Sequence, residues 1–242
     1  MIALFTDFGL AGPYTGQVKA VLQRLAPAAP VIDLFADAPS RNPKAAAYLL
    51  AAYGTWFPPG TVLLAVVDPG VGGARAALLL EADGRLYVGP DNGLFELVRR
   101  RAAEARLFEI TWRPAQLSAS FHGRDLFAPV AARLASGERP AAEARPADFG
   151  RRPDWPDDLA EIVYLDRYGN AITGLRAARL PAAATLIAGG HRIPRARTFS
   201  DLPEGAALWY ENSNGLAEIA VNLGRADEAL GLRIGSAVAV EA

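Results

Sequence analysis

Short apolar runs alternate with periodically spaced apolar positions along the first half of the chain. Residues 2–6 (IALFT) form one run, which ends at Asp7. Val18, Val21, Leu22 and Leu25 then recur at i, i+3, i+4 and i+7, which predicts an amphipathic helix over 14–25. Residues 31–35 (VIDLF) read as a strand. Asn42-Pro43 supplies an N-cap and a first-turn proline to a helix carrying Ala46, Ala47, Leu49, Leu50 and Tyr53. TVLLAVV (61–67) has the pattern of a strand covered on both faces. RAALLLEA (75–82) and RLYVG (85–89) flank Asp83-Gly84, a pair suited to a two-residue hairpin turn. Helices near 92–102 and 125–136 and a strand near 106–110 complete this half. The alternation predicts an α/β domain with a mostly parallel sheet flanked by helices.

Between Ser136 and Pro156 the pattern is lost. The segment is rich in Pro, Gly and charge, and reads as an inter-domain linker. The expected domains are residues 1–145 and 158–242. The second half holds seven short strand-like pieces (EIVYLD, NAITGL, ATLIAG, HRIP, ALWYEN, LAEIAV and SAVAVEA), closely punctuated by Gly, Pro or Asn. That spacing predicts a smaller all-β domain, a barrel or sandwich.

Composition narrows the chemistry. Apolar residues make up 51% of the 242 and charged residues 21%, ordinary globular proportions. The net charge of −1, with both signs interspersed, gives no electrostatic case for nucleic acid or an anionic membrane. Cysteine is absent, which excludes thiolate nucleophiles, disulfides and cysteine-ligated metals. The N-terminus lacks a basic region before its short apolar run, and no stretch has the length and apolarity to span a membrane. A soluble, cytoplasmic protein is the expectation. The two lysines, Lys19 and Lys44, stand among many arginines and alanines, a bias expected of a GC-rich coding sequence.

Three polar clusters follow strands of the first half: Thr6-Asp7-Phe8-Gly9, Asp68-Pro69-Gly70-Val71-Gly72-Gly73 and Gly89-Pro90-Asp91-Asn92-Gly93. The carboxyl edge of an open α/β sheet is where ligands bind, so three clusters on that edge would converge on one crevice. Each also reads as a plain turn, since Asp bonds its own backbone and Gly admits positive φ. No Gly-Lys-Ser/Thr follows the glycines, which argues against a phosphate cradle. His122, in SFHGRD (120–125), is one of two histidines, and a neighbouring carboxylate or guanidinium would set its charge state and orient a water. His191, in GGHRIP, reads as a surface hairpin residue, and the two histidines make no zinc spacing. Asp166-Arg167-Tyr168-Gly169-Asn170 and Asn212-Ser213-Asn214-Gly215 read equally as β-turns.

Taken in order, these segments resemble the S-adenosyl-L-methionine hydroxide adenosyltransferases, relatives of enzymes that attack the same substrate with fluoride or chloride. The matching pieces are TDFG (6–9) with PYTGQVKA (13–20), VVDPGVG (66–72) followed by Arg75, GPDNG (89–93), SFHGRD (120–125), DRYGN (166–170) and NSNGLAEIAV (212–221). The resemblance implies an N-terminal α/β domain, a C-terminal β-barrel and a homotrimer with substrate held between neighbouring subunits. It implies a catalytic set of Asp68, Arg75 and His122. It places Asp7 at the ribose hydroxyls, and Asp166 and Ser213 around the methionine moiety. Asn170, Phe199, Glu218 and Val221 match the adenosine side. The halogenating branch carries Tyr, Thr and Ser where this chain has Asp68, Val71 and Gly123, and a carboxylate at the attack position repels halide but polarises water. One position departs from the pattern: Gly12 stands where the family often has Asp, which puts one ribose contact in doubt.

The implied reaction is hydrolysis of S-adenosyl-L-methionine to adenosine and L-methionine, with no cofactor and no metal. The sulfonium leaves as a neutral thioether, so the protein need only align a water behind C5′, exclude bulk solvent and assist deprotonation. Three other readings stay open. They are halide-dependent adenosyl transfer, a binding protein without turnover, and a metal-dependent hydrolase built on Asp7, Asp68 and Asp91.

Overall fold

The structure, a computed structural model, describes residues 1–241 and divides into two compact units, Met1–Pro153 and Asp154–Ala242. Unit 1 runs β1 (Ile2–Thr6), α1 (Tyr14–Leu25), β2 (Val31–Phe35), α2 (Pro43–Tyr53), β3 (Val62–Val66), β4 (Ala77–Ala82), β5 (Arg85–Pro90), α3 (Glu96–Arg101), β6 (Ala105–Ile110), α4 (Ala128–Ala135) and β7 (Ala142–Arg145). The strands form one seven-stranded sheet in the order β2-β1-β3-β5-β4-β6-β7.

The sheet is mixed, not mostly parallel. β2, β1, β3 and β5 run parallel, whereas β4 pairs antiparallel with β5 and β6, and β6 with β7. The cause is local. Asp83 and Gly84 both take positive φ, 46° and 76°, so β4 and β5 are joined by a tight hairpin instead of a helical crossover. A second correction concerns the expected linker: Ala142–Arg145 within it is strand β7, paired with β6 at the sheet edge. Its charged residues suit a strand open on one side, where they discourage pairing with other chains.

Pleating sorts the side chains of the parallel strands. Ile2, Leu4, Val62 and Leu64 join Val18 and Leu22 of α1 and Val130 and Ala131 of α4 in one core. Each fully buried large aliphatic there contributes about 1.5–3 kcal/mol. The alternate residue Phe5 meets Phe35 edge-on, and Phe35 meets Tyr53 of α2, so α2 covers the opposite face. Asn42 caps α2 as its sequence position predicts, its Oδ1 accepting from Ala45 N–H at 3.1 Å ahead of Pro43, a cap worth about 1 kcal/mol.

Unit 2 contains β8 (Leu159–Leu165), β9 (Ala171–Arg176), β10 (Thr185–Ala188), β11 (His191–Ile193), β12 (Ala207–Glu211), β13 (Leu216–Val221), α5 (Ala226–Ala229) and β14 (Val238–Glu241). These are the seven expected strands with one short helix. They build two antiparallel sheets, β12-β13-β9-β8 and β11-β10-β14, around a core centred on the buried Trp209. A closed barrel is not formed. Among the described residues, single bridges, Glu161 to Ala237 and Arg195 to Trp209, join the sheet edges, because β10, β11 and β14 are too short to continue the ladders. His191 lies exposed on β11.

Candidate active site

The carboxyl edge of the parallel strands gathers the candidate catalytic residues of unit 1. Asp68 follows β3 by two residues, and both its oxygens accept from Arg75 Nε at 3.0 Å, with Arg75 Nη2 closing a bidentate clamp on Oδ2. The side chains are 5% and 11% exposed, so the pair is nearly dry. The Arg75 guanidinium also lies 5.2 Å from the centre of the Phe127 ring and donates from Nη2 to His122 Nδ1 at 3.0 Å. A guanidinium has donors only, so Nδ1 accepts and the imidazole is neutral with its proton on Nε2. Electrostatics agree: burial first, and the Arg75 charge second, hold His122 below the usual histidine range against the pull of Asp68.

The contact needs two loops to approach closely, and glycine permits it. Gly72 has φ 80°, and a Cβ there would lie 2.4 Å from the carbonyl oxygen of Ala119, so the Asp68–Arg75 loop rests directly on the loop that carries His122. His122 enters a π-helical turn, Gly123–Phe127, that leads into α4. Asn92, two residues beyond β5, braces the arrangement: its Nδ2 donates to Val67 C=O at 2.8 Å, one residue before Asp68, while its Oδ1 accepts from Leu94 N–H.

Asp68 and His122 face a cavity of about 90 Å³ that is also lined by Asp7, Phe8, Arg41, Val71, Phe121 and Gly123. Burial pushes Asp7 up from the ordinary carboxylate range, opposed by a hydrogen bond from Arg41 N–H at 2.9 Å. A Cβ on Gly123 would come within 2.8 Å of the Phe8 ring, so this wall has no room for a side chain at 123 unless Phe8 moves.

Of the third strand-end cluster, Asn92 braces the Asp68 loop, whereas Asp91 does not line the crevice. The Asp91 carboxylate packs on Gly150, where a Cβ would lie 2.3 Å from Oδ1, and it is placed among Arg152, Arg99 and Glu109. Asp7, Asp68 and Asp91 therefore do not converge, and among the described residues no group of three or more His, Asp or Glu side chains could hold a metal ion.

In unit 2 the residues expected around substrate fall into four settings. Asp166 shapes a turn, its Oδ1 accepting from Tyr168 N–H at 2.8 Å and Asn170 N–H at 2.9 Å, and its Oδ2 from Asn170 Nδ2. Glu218 is buried on β13 and accepts from Asn212 Nδ2 at 3.0 Å and from the Tyr210 hydroxyl. Burial pushes its carboxyl up, while hydrogen bonds from Tyr210, Asn212 and Asn170 draw it back. Phe199 joins this group, its ring 5.1 Å from that of Tyr210. Ser213 is exposed on the adjoining turn and bonds only Asn214. Val221 packs its side chain into the unit's core, and its carbonyl accepts from Gly224 N–H at 3.0 Å. Sequence reasoning missed Arg41 and Tyr210, and it named Phe8, Asn92 and Asn212 only within their clusters, without a role. The register that sets Tyr210 opposite Glu218 was within reach, since Asn212-Ser213-Asn214-Gly215 marks the hairpin turn.

The chain is similar to known proteins over nearly its whole length. Residues 2–144 match the SAM hydroxide adenosyltransferase N-terminal domain and residues 160–239 its C-terminal domain, so the chain belongs to that family. A Thermus thermophilus protein named (R)-S-adenosyl-L-methionine hydrolase is 43% identical, with 98% of each chain covered. A Salinispora arenicola protein of the same name is 40% identical over 100% of this chain and 97% of its own. The crystal structure of an uncharacterized conserved protein from Thermotoga maritima superposes with a TM-score of 0.83 at 31% identity, covering 99% of both chains.

Proposed function

We propose that this chain hydrolyses S-adenosyl-L-methionine to adenosine and L-methionine, by in-line attack of water at C5′. The observation that carries the mechanism is that Asp68 and His122 line one cavity while Arg75 bonds both. Family membership and full-length relatives named as hydrolases support the reaction.

Each group has a role set by its bonds. Arg75 donates once to Asp68 Oδ1 and twice to Oδ2, so Oδ1 retains a second lone pair for a water O–H. His122 presents Nε2–H, a donor that orients the water oxygen toward C5′. As the oxygen bonds to C5′, the C5′–S pair leaves with sulfur and the water proton passes to Asp68. His122 is the poorer acceptor, because its one lone-pair nitrogen is already engaged by Arg75. The Arg75 charge favours developing hydroxide, and sulfur departs neutral without a general acid. Asp7 holds the ribose hydroxyls. Water is the nucleophile in preference to halide: the anionic Asp68 borders the cavity, and Phe8 fills the space of a side chain at 123.

The cavity of about 90 Å³ is far smaller than an ordinary ligand site of roughly 300–1,000 Å³. It suits the reacting end of the substrate alone. We therefore assign the remaining contacts to Asp166, Asn170, Phe199, Ser213, Glu218 and Val221 of a neighbouring subunit in a homotrimer, as the family resemblance implies, with no cofactor. No helix among the described residues is long and apolar enough to cross a membrane, and we place the protein in the cytoplasm.

Chromatography of each sulfonium epimer of S-adenosylmethionine incubated with the protein, with and without EDTA, tests the reaction. Adenosine and methionine in equal amounts, unaffected by chelation, are expected. S-adenosylhomocysteine as product, or activity lost on chelation, overturns it. The shared site has its own test. His122→Ala and Ser213→Ala variants, each inactive alone, should recover activity when refolded together, because some mixed sites are intact. Mixtures as inactive as the parents count against shared sites.

A further inference from the structure

Arg41 stands out among the residues the mechanism leaves unused. The segment joining β2 to α2 is tied to the end of β1 at three points. Gly9 N–H donates to Ala36 C=O at 2.6 Å, Ala38 N–H donates to Thr6 C=O at 3.0 Å, and Arg41 N–H donates to Asp7 Oδ2 at 2.9 Å. To make the third bond Arg41 takes φ 56°, the left-handed region that penalises any residue with a Cβ. Gly or Asn would meet that backbone requirement more readily. Its side chain lines the Asp7–Asp68–His122 cavity. The guanidinium has no ion pair or hydrogen bond to any described residue.

We propose that Arg41 is a positioning residue for substrate: its N–H fixes one oxygen of Asp7, and its guanidinium keeps that carboxylate an anion that accepts from the ribose diol. The inference rests on the reading that Asp7 binds the ribose hydroxyls. Its logic is electrostatic. Asp7 is half-buried and feels the like charge of Asp68, and both effects favour the neutral acid. The opposing influences are the Arg41 N–H, Asp7's own backbone N–H and the Arg41 charge, with His122 across the same cavity held neutral and Arg75 committed to Asp68. A protonated Asp7 would accept fewer hydrogen bonds and lose its grip on a diol.

The test uses the full-length protein and calorimetric binding of adenosine and 2′-deoxyadenosine, alongside kcat and KM across pH. Wild type should bind the deoxy nucleoside about tenfold more weakly, the scale of a hydrogen bond to a charged group. Arg41→Gln keeps the N–H and removes the charge. It should narrow that preference about two- to fivefold, as befits a partly solvated charge. It should also raise KM, leave kcat nearly unchanged and move the acid limb of kcat/KM to higher pH. Arg41→Lys should restore all three, and Arg41→Gly should behave as Arg41→Gln with an undiminished melting temperature. In an Asp7→Asn background, Arg41→Gln should change little further. An Arg41→Gln profile that superimposes on wild type, with the sugar preference intact, overturns the role of Arg41 alone. A wild-type protein indifferent to the 2′-hydroxyl overturns the Asp7 reading and this inference together.

Discussion

Asp68 and Glu218 are both withdrawn from water, and the molecule keeps them there by opposite means. Asp68 faces a guanidinium that grips both its oxygens and passes on to His122. Glu218 faces only neutral donors, the Tyr210 hydroxyl and the amides of Asn212 and Asn170, and burial pushes its carboxyl up. The first arrangement fixes a charge where the proposed reaction would use one. The second leaves a carboxyl that is costly to ionise, and its place beside Phe199 and Asn170 suits recognition better than proton transfer.

The largest effect should follow Asp68→Ala. Turnover should fall about 10²-fold or more while KM changes little, since the group acts mainly in the transition state. Glu218→Gln should do the reverse, raising KM with little change in kcat. Equal kcat losses in the two variants would erase the distinction between them.

Next comes the dependence on acid. His122 must be neutral to accept from Arg75, and it is held below the usual histidine range of about 6.5. Activity should therefore be flat through neutral pH and fall only below that value, as imidazolium forms beside the Arg75 charge. The stability sign is the same. A depressed histidine lets the unfolded chain take the proton first, so stability declines as pH falls from about 6.5 toward the folded value. Steady-state kinetics from about pH 5 to 8 reads the first effect. Loss of activity centred above the ordinary histidine range would mean that His122 works as the imidazolium.

The same contrast explains which parts of the site were legible in the sequence. Asp68 and Arg75 are seven residues apart on one loop, and strand-end glycines announced that loop. His122 lies 47 residues from Arg75, and only the resemblance joined them before the structure did. Local chemistry was readable at Asn42-Pro43 and Asp83-Gly84, where a cap and a turn depend on adjacent residues. Orientation was not: Asp91 shares the strand-end pattern of Asp7 and Asp68, yet packing on Gly150 turns its carboxylate elsewhere. Strand β7 was hidden because four charged and small residues at a sheet edge carry no hydrophobic alternation. Tyr210 and Asn212 were passed over because their role appears only once β12 is set in register with β13.

A smaller effect belongs to Gly72→Ala, which places a Cβ 2.4 Å from the Ala119 carbonyl at a positive φ. We expect about 1–3 kcal/mol of destabilisation, measured by urea denaturation. Activity should fall further than that cost implies, because Arg75 and His122 are carried apart. The corresponding strain in unit 2, Gly169→Ala against Asp227, should lower stability and leave the Asp68–Arg75–His122 geometry untouched.

The smallest expected effect tests the comparison in the stability of the fold. A carboxyl whose folded pKa is raised contributes stability that is present below the unfolded value and lost as pH rises through the folded one. Glu218 should therefore make wild type less stable at neutral pH than near pH 4, an effect superimposed on those of other groups. Glu218→Gln removes that loss while its amide oxygen still accepts from Tyr210 or Asn212. The variant should match wild type in acid and unfold at modestly higher urea at about pH 7, where burying the ionised carboxyl is costly. Asp68→Asn should move the opposite way at neutral pH, because it strips Arg75 of its anionic partner in a nearly dry site. The readout is the difference in urea midpoint between each variant and wild type at the two pH values. If Glu218→Gln destabilises at neutral pH as Asp68→Asn does, Glu218 is held as a structural anion, and the two carboxylates are kept by the same means after all.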